Sequence, residues 1–225
     1  MTISLASEQL AGSETAASQE ARGDLYAALS RGFFFPGEQL HSQILGGGWL
    51  DSLSATTERL SHPFGGSLSR SWAVPSGYEK FESEYIRLFE IGNRAGPPCP
   101  LHTGHYTRDR VKTLEGLIRF YNFFGLRIAP GLMPDHLSVQ LEFMHYLATR
   151  QLAARTNQER DSAWNAQRDF VQHHLTAWWP VFAERVKSQR PLPFYRSLVA
   201  LTGRFLEQER EYLSGAPGAR GEADV

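Results

Sequence analysis

The sequence predicts an all-α fold, a single-domain helical bundle, from three observations. Apolar residues recur at three- and four-residue steps in the long segments between Pro- or Gly-containing breaks. No segment shows sustained alternation of apolar and polar residues, and no Asn-Gly or Asp-Gly pair separates two apolar runs. The 225 residues, 41% of them hydrophobic and 12% aromatic, are enough to bury one sizeable core.

Three helices are predicted in the first half of the chain. The first lies in "SQEARGDLYAALSRGFF" and ends before Pro36-Gly37, since proline cannot continue a helix. The second is "GYEKFESEYIRLFEIG", and the third runs from about residue 107 to 124, where Gly125 provides a stop. Their predicted inward faces are Leu25, Ala28, Leu29, Gly32 and Phe33; Tyr78, Phe81, Tyr85, Leu88 and Phe89; and Val111, Leu114, Leu117, Ile118 and Tyr121.

The second half continues the helical pattern. A fourth helix follows "APGLMPDHL", with Pro134 and Asp135 where the first turn is set, and Asp135 is a candidate N-cap. A fifth covers "ERDSAWNAQRDFVQHHLTAWWPVFAERVKS" and is expected to kink or break near Pro180. "PLPFYRSLVALTGRFLEQEREYL" forms the last. The inward residues of the fourth and fifth helices are Leu137, Leu141, Met144, Tyr146, Leu147 and Leu152; and Trp164, Phe170, Val171, Leu175, Trp178 and Phe182.

The ends of the chain are poor in large apolar residues. Residues 1–16 and 214–225 are therefore predicted to be disordered, which leaves residues 17–213 as one all-helical domain.

Charge and cysteine content limit the classes of partner and the compartment. The 23 basic and 24 acidic residues give a net charge of -1, so neither nucleic acid nor an anionic membrane is expected as the main partner. The N-terminus lacks the features of a signal peptide, and no stretch has 18 uninterrupted apolar residues, so no stable membrane insertion is expected. The single cysteine rules out an intrachain disulfide, and a cytoplasmic location is predicted.

The stretch "CPLHTGHYT" combines a cysteine and two histidines in a Pro/Gly-rich setting. Cys99, His102 and His105 offer three ligands at most, whereas a structural zinc site takes four. Pro98 and Pro100 also make the backbone stiff and extended around the cysteine. A catalytic metal, a thiol nucleophile at Cys99 and a loop shaped for another purpose all stay open.

A second candidate site is the Glu142-x-x-His145 step. In carboxylate-bridged di-iron bundles such a step occurs on two helices, and further glutamates come from two others. Glu38-x-x-His41 is a second copy, although it follows a Pro-Gly boundary. A metal-dependent helical enzyme is therefore the alternative hypothesis, and a solvated or hydrogen-bonded helix face is the simpler interpretation.

Three segments together resemble a known family. In order and spacing, "EYIRLFEIG", "PPCPLHTGHY" and "MPDHLSVQLEFMHYL" are similar to the cytoplasmic redox-enzyme maturation chaperones of the TorD, DmsD and NarJ type, over roughly Tyr78 to Arg155. The sequence "LHTGHY" departs from the commoner loop of that family. It looks like the subgroup that serves type II enzymes of the dimethyl-sulfoxide reductase family.

The resemblance implies a chaperone without catalytic activity or a cofactor of its own, acting as a monomer or homodimer. Its partner would be the precursor catalytic subunit of a molybdopterin-containing oxidoreductase, recognised through an N-terminal leader that is often a twin-arginine signal. Export would be held back until the cofactor is inserted. Positions that match the family's binding region are Tyr85, Leu88, Phe89, Pro100, Tyr106, Pro134, Asp135 and His136.

These residue types suit such a ligand. A twin-arginine leader carries two guanidinium groups and an apolar segment, so its receptor needs apolar surface and acceptor groups. Tyr85, Leu88 and Phe89 are the expected apolar surface. Asp135 is the expected carboxylate for a guanidinium, and His136 is expected to orient that carboxylate or to donate a hydrogen bond.

Overall fold

The computed structural model describes residues 16–61, 72–92 and 96–215, and within these ranges the protein is helical, without a strand. The predicted all-α fold is therefore confirmed. The helices are α1 (Ala16–Phe33), α2 (Glu38–Leu45), α3 (Gly48–Glu58), α4 (Tyr78–Tyr85), α5 (Arg110–Phe123), α6 (Leu137–Leu152), α7 (Asn157–Phe170), α8 (Trp179–Ser188) and α9 (Pro193–Leu213).

Helices α1 and α6 pack against each other along their lengths and form the centre of the bundle. Small residues permit the close approach, since a Cβ on Gly23 of α1 would lie 3.6 Å from the Ala148 Cβ of α6. The Ser30 hydroxyl donates to the Ser138 carbonyl at 2.8 Å, close to the start of α6. This contact fixes the first turn of α6, where the candidate site lies.

A buried ion pair ties α1 to the C-terminal helices. The Arg22 guanidinium donates to both carboxylate oxygens of Glu209 in α9, at 2.7 and 2.6 Å, and to the Gln167 side chain of α7 at 3.0 Å. Both charged side chains are 4% exposed. Because buried charges are stable only when they are paired and hydrogen-bonded, this network fixes how α1, α7 and α9 pack.

Aromatic side chains fill much of the remaining core. Phe81 of α4 stacks on Tyr195 of α9 with ring centroids 5.3 Å apart. After Tyr85 the chain continues as one π-helical turn, Ile86–Glu90, which keeps Leu88 and Phe89 inside the core. The aromatic rings and Leu88 pack closely around the π-helical turn, so the loop that follows it rests on a rigid part of the core.

The predicted inward face of α5 is partly wrong. Leu117 and Tyr121 are buried, but Val111 is 66% exposed and Ile118 is 43% exposed. The reason is that α5 lies at the surface of the bundle and buries only a narrow stripe against α6 and α7. The apolar residues beside that stripe face solvent.

Other boundaries follow the sequence signals closely. The long fifth segment breaks as predicted: α7 ends in a π-helical turn, Val171–Leu175, and α8 begins with Pro180 in its first turn. Gly125 closes α5 with a φ of 74°, a left-handed conformation that glycine adopts without strain. The predicted disorder at the two ends falls almost entirely on residues 1–15 and 216–225, outside the described residues. No helix in the described part of the chain is long and apolar enough to span a bilayer.

Candidate functional site

Two segments that are distant in sequence form the candidate site. One is the site loop, residues 99–106, and the other is the chain that leads into α6, residues 133–137. Each is anchored to the core from below. The Cys99 N–H donates to the Leu88 carbonyl at 2.9 Å, and the Tyr121 hydroxyl donates to the Pro134 carbonyl at 2.8 Å.

The backbones of the two segments pair directly. The Leu137 N–H donates to the Leu101 carbonyl at 2.8 Å, and the Thr103 N–H donates to the Asp135 carbonyl at 3.0 Å. Residues 102 and 136 consequently face each other in an isolated antiparallel bridge. This pairing places the histidines of both segments side by side, with ring centroids 5.1 Å apart.

The Asp135 carboxylate lies at the centre of the site and is fully buried. It accepts hydrogen bonds from the His102 Nδ1–H at 3.1 Å and from the Gly104 N–H at 3.2 Å. Burial alone would raise the pKa of Asp135, but the hydrogen bond and charge of His102, the Gly104 N–H and the charge of Arg110 together lower it below its usual value. The carboxylate is therefore ionised at neutral pH.

His136 caps α6, which corrects the predicted N-cap role of Asp135. The His136 Nδ1 accepts from the Ser138 N–H at 3.3 Å and lies 2.6 Å from the Ser138 hydroxyl. Burial, with a smaller contribution from the charge of His102, lowers the pKa of His136 to about 4. His136 is thus neutral at pH 7, and the expectation that it orients Asp135 is wrong, because His102 forms that contact.

Gln140 and Gly104 complete the site, and neither was predicted from the sequence. The buried Gln140 amide donates to the Thr103 hydroxyl at 2.6 Å and to the Asp135 carbonyl at 2.9 Å, which locks the site loop onto α6. A Cβ at position 104 would lie 3.0 Å from the Asp135 Oδ2 and 2.7 Å from the Arg110 Cγ. Glycine is needed there so that its N–H can reach the carboxylate.

The rest of the site loop is a fixed structure. Cys99 is fully buried, and burial raises the pKa of its thiol to about 11, which argues against a thiolate nucleophile. The Tyr106 hydroxyl donates to the Pro100 carbonyl at 2.9 Å. The Tyr106 ring stacks on Trp178 with centroids 5.0 Å apart, and the Arg185 guanidinium lies 4.8 Å from the centre of the same ring.

Tyr85, Leu88 and Phe89 lie below the site inside the core, with exposures of 1%, 0% and 3%. The Tyr85 hydroxyl donates to a backbone carbonyl at the end of α1 at 3.1 Å. The apolar surface at the site comes instead from Phe34 and Phe35, which follow α1 and are 41% and 48% exposed. Their rings lie 6.3 Å from His136 and 5.4 Å from Tyr85 respectively. Only a weak sequence signal points to these two residues, a run of three phenylalanines before Pro36.

The residues proposed for a di-metal centre make other contacts. Glu142 is exposed, and the His145 Nδ1–H donates to the Gly23 carbonyl at 2.8 Å. The His41 Nε2–H donates to the Pro75 carbonyl, also at 2.8 Å. Across the described residues, no group of three or more His, Cys, Asp or Glu side chains is arranged to hold a metal ion.

Several known proteins are similar in sequence to more than half of this chain. The chain is 28% identical to the perchlorate reductase assembly chaperone protein of Dechloromonas aromatica, over 85% of this chain and 89% of the relative. It is 33% identical to the chlorate reductase assembly chaperone protein of Ideonella dechloratans, over 63% of this chain and 74% of the relative. The chaperone protein TorD of Vibrio parahaemolyticus is 27% identical over 59% of this chain and 64% of its own length.

A family model described as nitrate reductase delta subunit matches residues 59–184, more than half of the chain and including both segments of the candidate site. Together with the similarity to the reductase assembly chaperones and TorD, this match establishes the family. The chain therefore belongs to the nitrate reductase delta subunit family, the family of the TorD-type redox-enzyme maturation chaperones.

Proposed function

We propose that this protein is a cytoplasmic assembly chaperone that binds the precursor catalytic subunit of a molybdenum oxidoreductase and holds back its export until the cofactor is inserted. The observation that carries the proposal is the similarity to the perchlorate reductase assembly chaperone over 85% of this chain. A relationship of that extent includes the fold and both segments of the candidate site. It supports a chaperone role over an enzymatic one.

The client belongs to the type II branch of the dimethyl-sulfoxide reductase family. The loop sequence "LHTGHY" supports this branch, and relatives of the chain are named for perchlorate, chlorate and selenate reductases. The client is accordingly a molybdopterin-containing oxyanion reductase or a close counterpart.

The client's leader binds at the surface formed by Phe34, Phe35, His102 and His136. Its apolar segment packs on the two exposed phenylalanine rings, since burial of apolar area is the main source of such affinity. Pro100, Tyr106, Pro134, Tyr85, Leu88 and Phe89 support this surface from the sides and from below.

The buried Asp135 acts through His102. In the tautomer whose Nδ1–H donates to the carboxylate, the His102 Nε2 carries no proton and is a hydrogen-bond acceptor. The His102 side chain is 31% exposed, whereas that of Asp135 is 0% exposed, so the imidazole and not the carboxylate reaches the ligand. An arginine of the leader donates to this Nε2, and the ionised carboxylate behind it adds an attractive field for the cation.

The test is a titration of a fluorescent twin-arginine leader peptide with the full-length protein. His102→Ala and Phe34→Ala are expected to weaken binding by about tenfold each, the equivalent of roughly 1.4 kcal/mol. His173→Ala is the matched control, since His173 is exposed and its Nδ1–H donates only to the Asp169 carbonyl on its own helix. Equal affinity for all four proteins would show that the leader does not bind at this surface.

A further inference from the structure

We infer that the outer face of α5 is a second docking surface, which takes an acidic amphipathic segment of a partner protein. The surface, here called the α5 outer face, consists of Val111, Lys112, Ile118, Arg119 and Phe123. It is separate from the proposed leader surface and makes no use of the leader. The inference therefore stands independently of the proposed function.

Helical geometry places these five residues on one side of α5. At 100° per residue, positions 111 and 118 lie about 20° apart, positions 112 and 119 form a second pair about 100° further round the helix, and position 123 lies about 20° beyond 112, so the five residues span an arc of about 140°. The opposite side carries Leu117 and Tyr121, which are buried against the bundle. The outer side carries large apolar groups with high exposure: 66% at Val111, 43% at Ile118 and 75% at Phe123.

Exposed apolar side chains of this size are ordinary when they are scattered over a surface, but here three occur within the outer arc of one helix. Two depressions adjoin them. One, of about 500 Å³, lies between Ile118 and the loop that includes Arg127 and Leu132, and the other, of about 430 Å³, lies between Phe123 and α7. Such depressions beside exposed anchors can receive the side chains of a partner helix.

The charge of this surface specifies the partner. Lys112, Arg119 and Arg127 are exposed, and none of them forms an ion pair with a carboxylate of the described residues. From Arg108 to Arg127 the chain carries five basic residues and two acidic residues, a net charge of +3, whereas the whole chain has a net charge of -1. Basic charge is thus concentrated on and beside α5, which carries Glu115 as its one carboxylate and exposes three large apolar side chains, more than any other described helix.

A partner complementary to this face needs carboxylates beside apolar side chains. A twin-arginine leader is cationic and would be repelled, so the leader is not the occupant. Nucleic acid would match the cations but would leave the three exposed apolar side chains without an apolar partner. An acidic amphipathic helix satisfies both the charge and the apolar anchors, with apolar residues at three- and four-residue steps and Glu or Asp beside them.

The test uses the full-length protein and a synthetic amphipathic helical peptide of leucine and glutamate, with binding measured by fluorescence anisotropy. A leucine and lysine copy of the peptide is the charge control. Lys112→Glu/Arg119→Glu is expected to weaken binding of the glutamate peptide by about tenfold or more, because two attractive charge pairs become repulsive. Lys80→Glu/Arg196→Glu reverses two exposed cations on α4 and α9 and is expected to leave affinity unchanged.

The outcomes separate the possible occupants. The inference is supported if added salt and charge reversal on α5 both weaken binding of the glutamate peptide, while charge reversal on α4 and α9 does not. Equal affinity for the glutamate and lysine peptides, or for both charge-reversed variants, would overturn it. Binding to phosphatidylglycerol vesicles in preference to the peptide, or self-association through Phe123 that Phe123→Ser abolishes, would also overturn it.

Discussion

The clearest structural prediction concerns Asp135, whose carboxylate joins the site loop to the start of α6. Substitution Asp135→Ala removes the acceptor for both the His102 Nδ1–H and the Gly104 N–H. The Gly104 N–H then loses its acceptor in a tightly packed region, since even a Cβ at position 104 would meet atoms of Arg110 and Asp135. The two segments keep their backbone hydrogen bonds, so the fold is retained while its stability falls.

The size of the effect follows from the two hydrogen bonds. A hydrogen bond to a charged group contributes about 1.5–3 kcal/mol, and the His102 bond counts for less because water reaches that side chain. We expect Asp135→Ala to lower the free energy of unfolding by about 3 kcal/mol at pH 7 and Tm by about 10 °C. Asp135→Asn keeps one oxygen for Gly104 and should cost about 1–2 kcal/mol. The carboxylate contribution is complete above its ordinary pKa and is lost only as the pH falls through the lowered value in the folded protein.

The assay is urea unfolding followed by circular dichroism, with Glu142→Ala as the control. Glu142 is an exposed carboxylate on α6 without an ion pair among the described residues, so its loss should change stability by less than about 0.5 kcal/mol. The double variant with His102→Ala should show a coupling energy of about 1 kcal/mol. A loss below about 1 kcal/mol for Asp135→Ala, or additive effects in the double variant, would refute the central role of this carboxylate.

Three further predictions concern pH, the core and metal. Burial lowers the pKa of His136 and of His174 to about 4, so as the pH falls the unfolded chain takes up protons at these positions before the folded protein does. The free energy of unfolding should therefore decrease from about pH 6.5 downward, by roughly 2 kcal/mol per histidine at pH 5. The substitution His174→Asn should reduce the slope of the urea midpoint against pH. Tyr85→Phe removes the hydrogen bond to the Phe33 carbonyl and should lower the free energy of unfolding by about 1 kcal/mol, measured by urea unfolding. The affinity for the leader peptide should stay unchanged. A loss of affinity without a loss of stability would contradict the buried position of Tyr85. Metal analysis should find no stoichiometric metal, and EDTA should leave Tm unchanged in the wild type and in Glu142→Ala; a Tm that falls only in the wild type would restore the di-metal hypothesis.

Strong periodicity explains why most helices could be predicted. α1 and α9 carry long apolar stripes, and the predicted inward residues of α1 are buried as expected. α2 was missed because Pro36-Gly37 signals an end, and the sequence does not indicate that a helix restarts one residue later at Glu38. In α5 the pattern predicts an apolar face wider than the stripe that the bundle covers, so Val111 and Ile118 were placed inside although they are exposed.

The site was predicted in its segments but not in its contacts. The motif resemblance identified the site loop and the Pro134-Asp135-His136 step as parts of one region, and the structure brings them together. The contact between His102 and Asp135 joins residues 33 positions apart, which no local spacing encodes. An aspartate after proline before a helix favours a cap by local rules alone, and here the tertiary pairing with the site loop overrides that preference.

The proposed role of this protein is to assist assembly of a molybdenum oxidoreductase. The most direct measurement is the molybdenum content of the catalytic subunit purified from its source strain with the chaperone gene intact, deleted, or replaced by the Asp135→Ala form. We expect a subunit largely without molybdenum after deletion; the wild-type gene should restore its molybdenum content and the variant should restore it only in part. A catalytic subunit fully loaded with molybdenum in the deletion strain would contradict the proposed role.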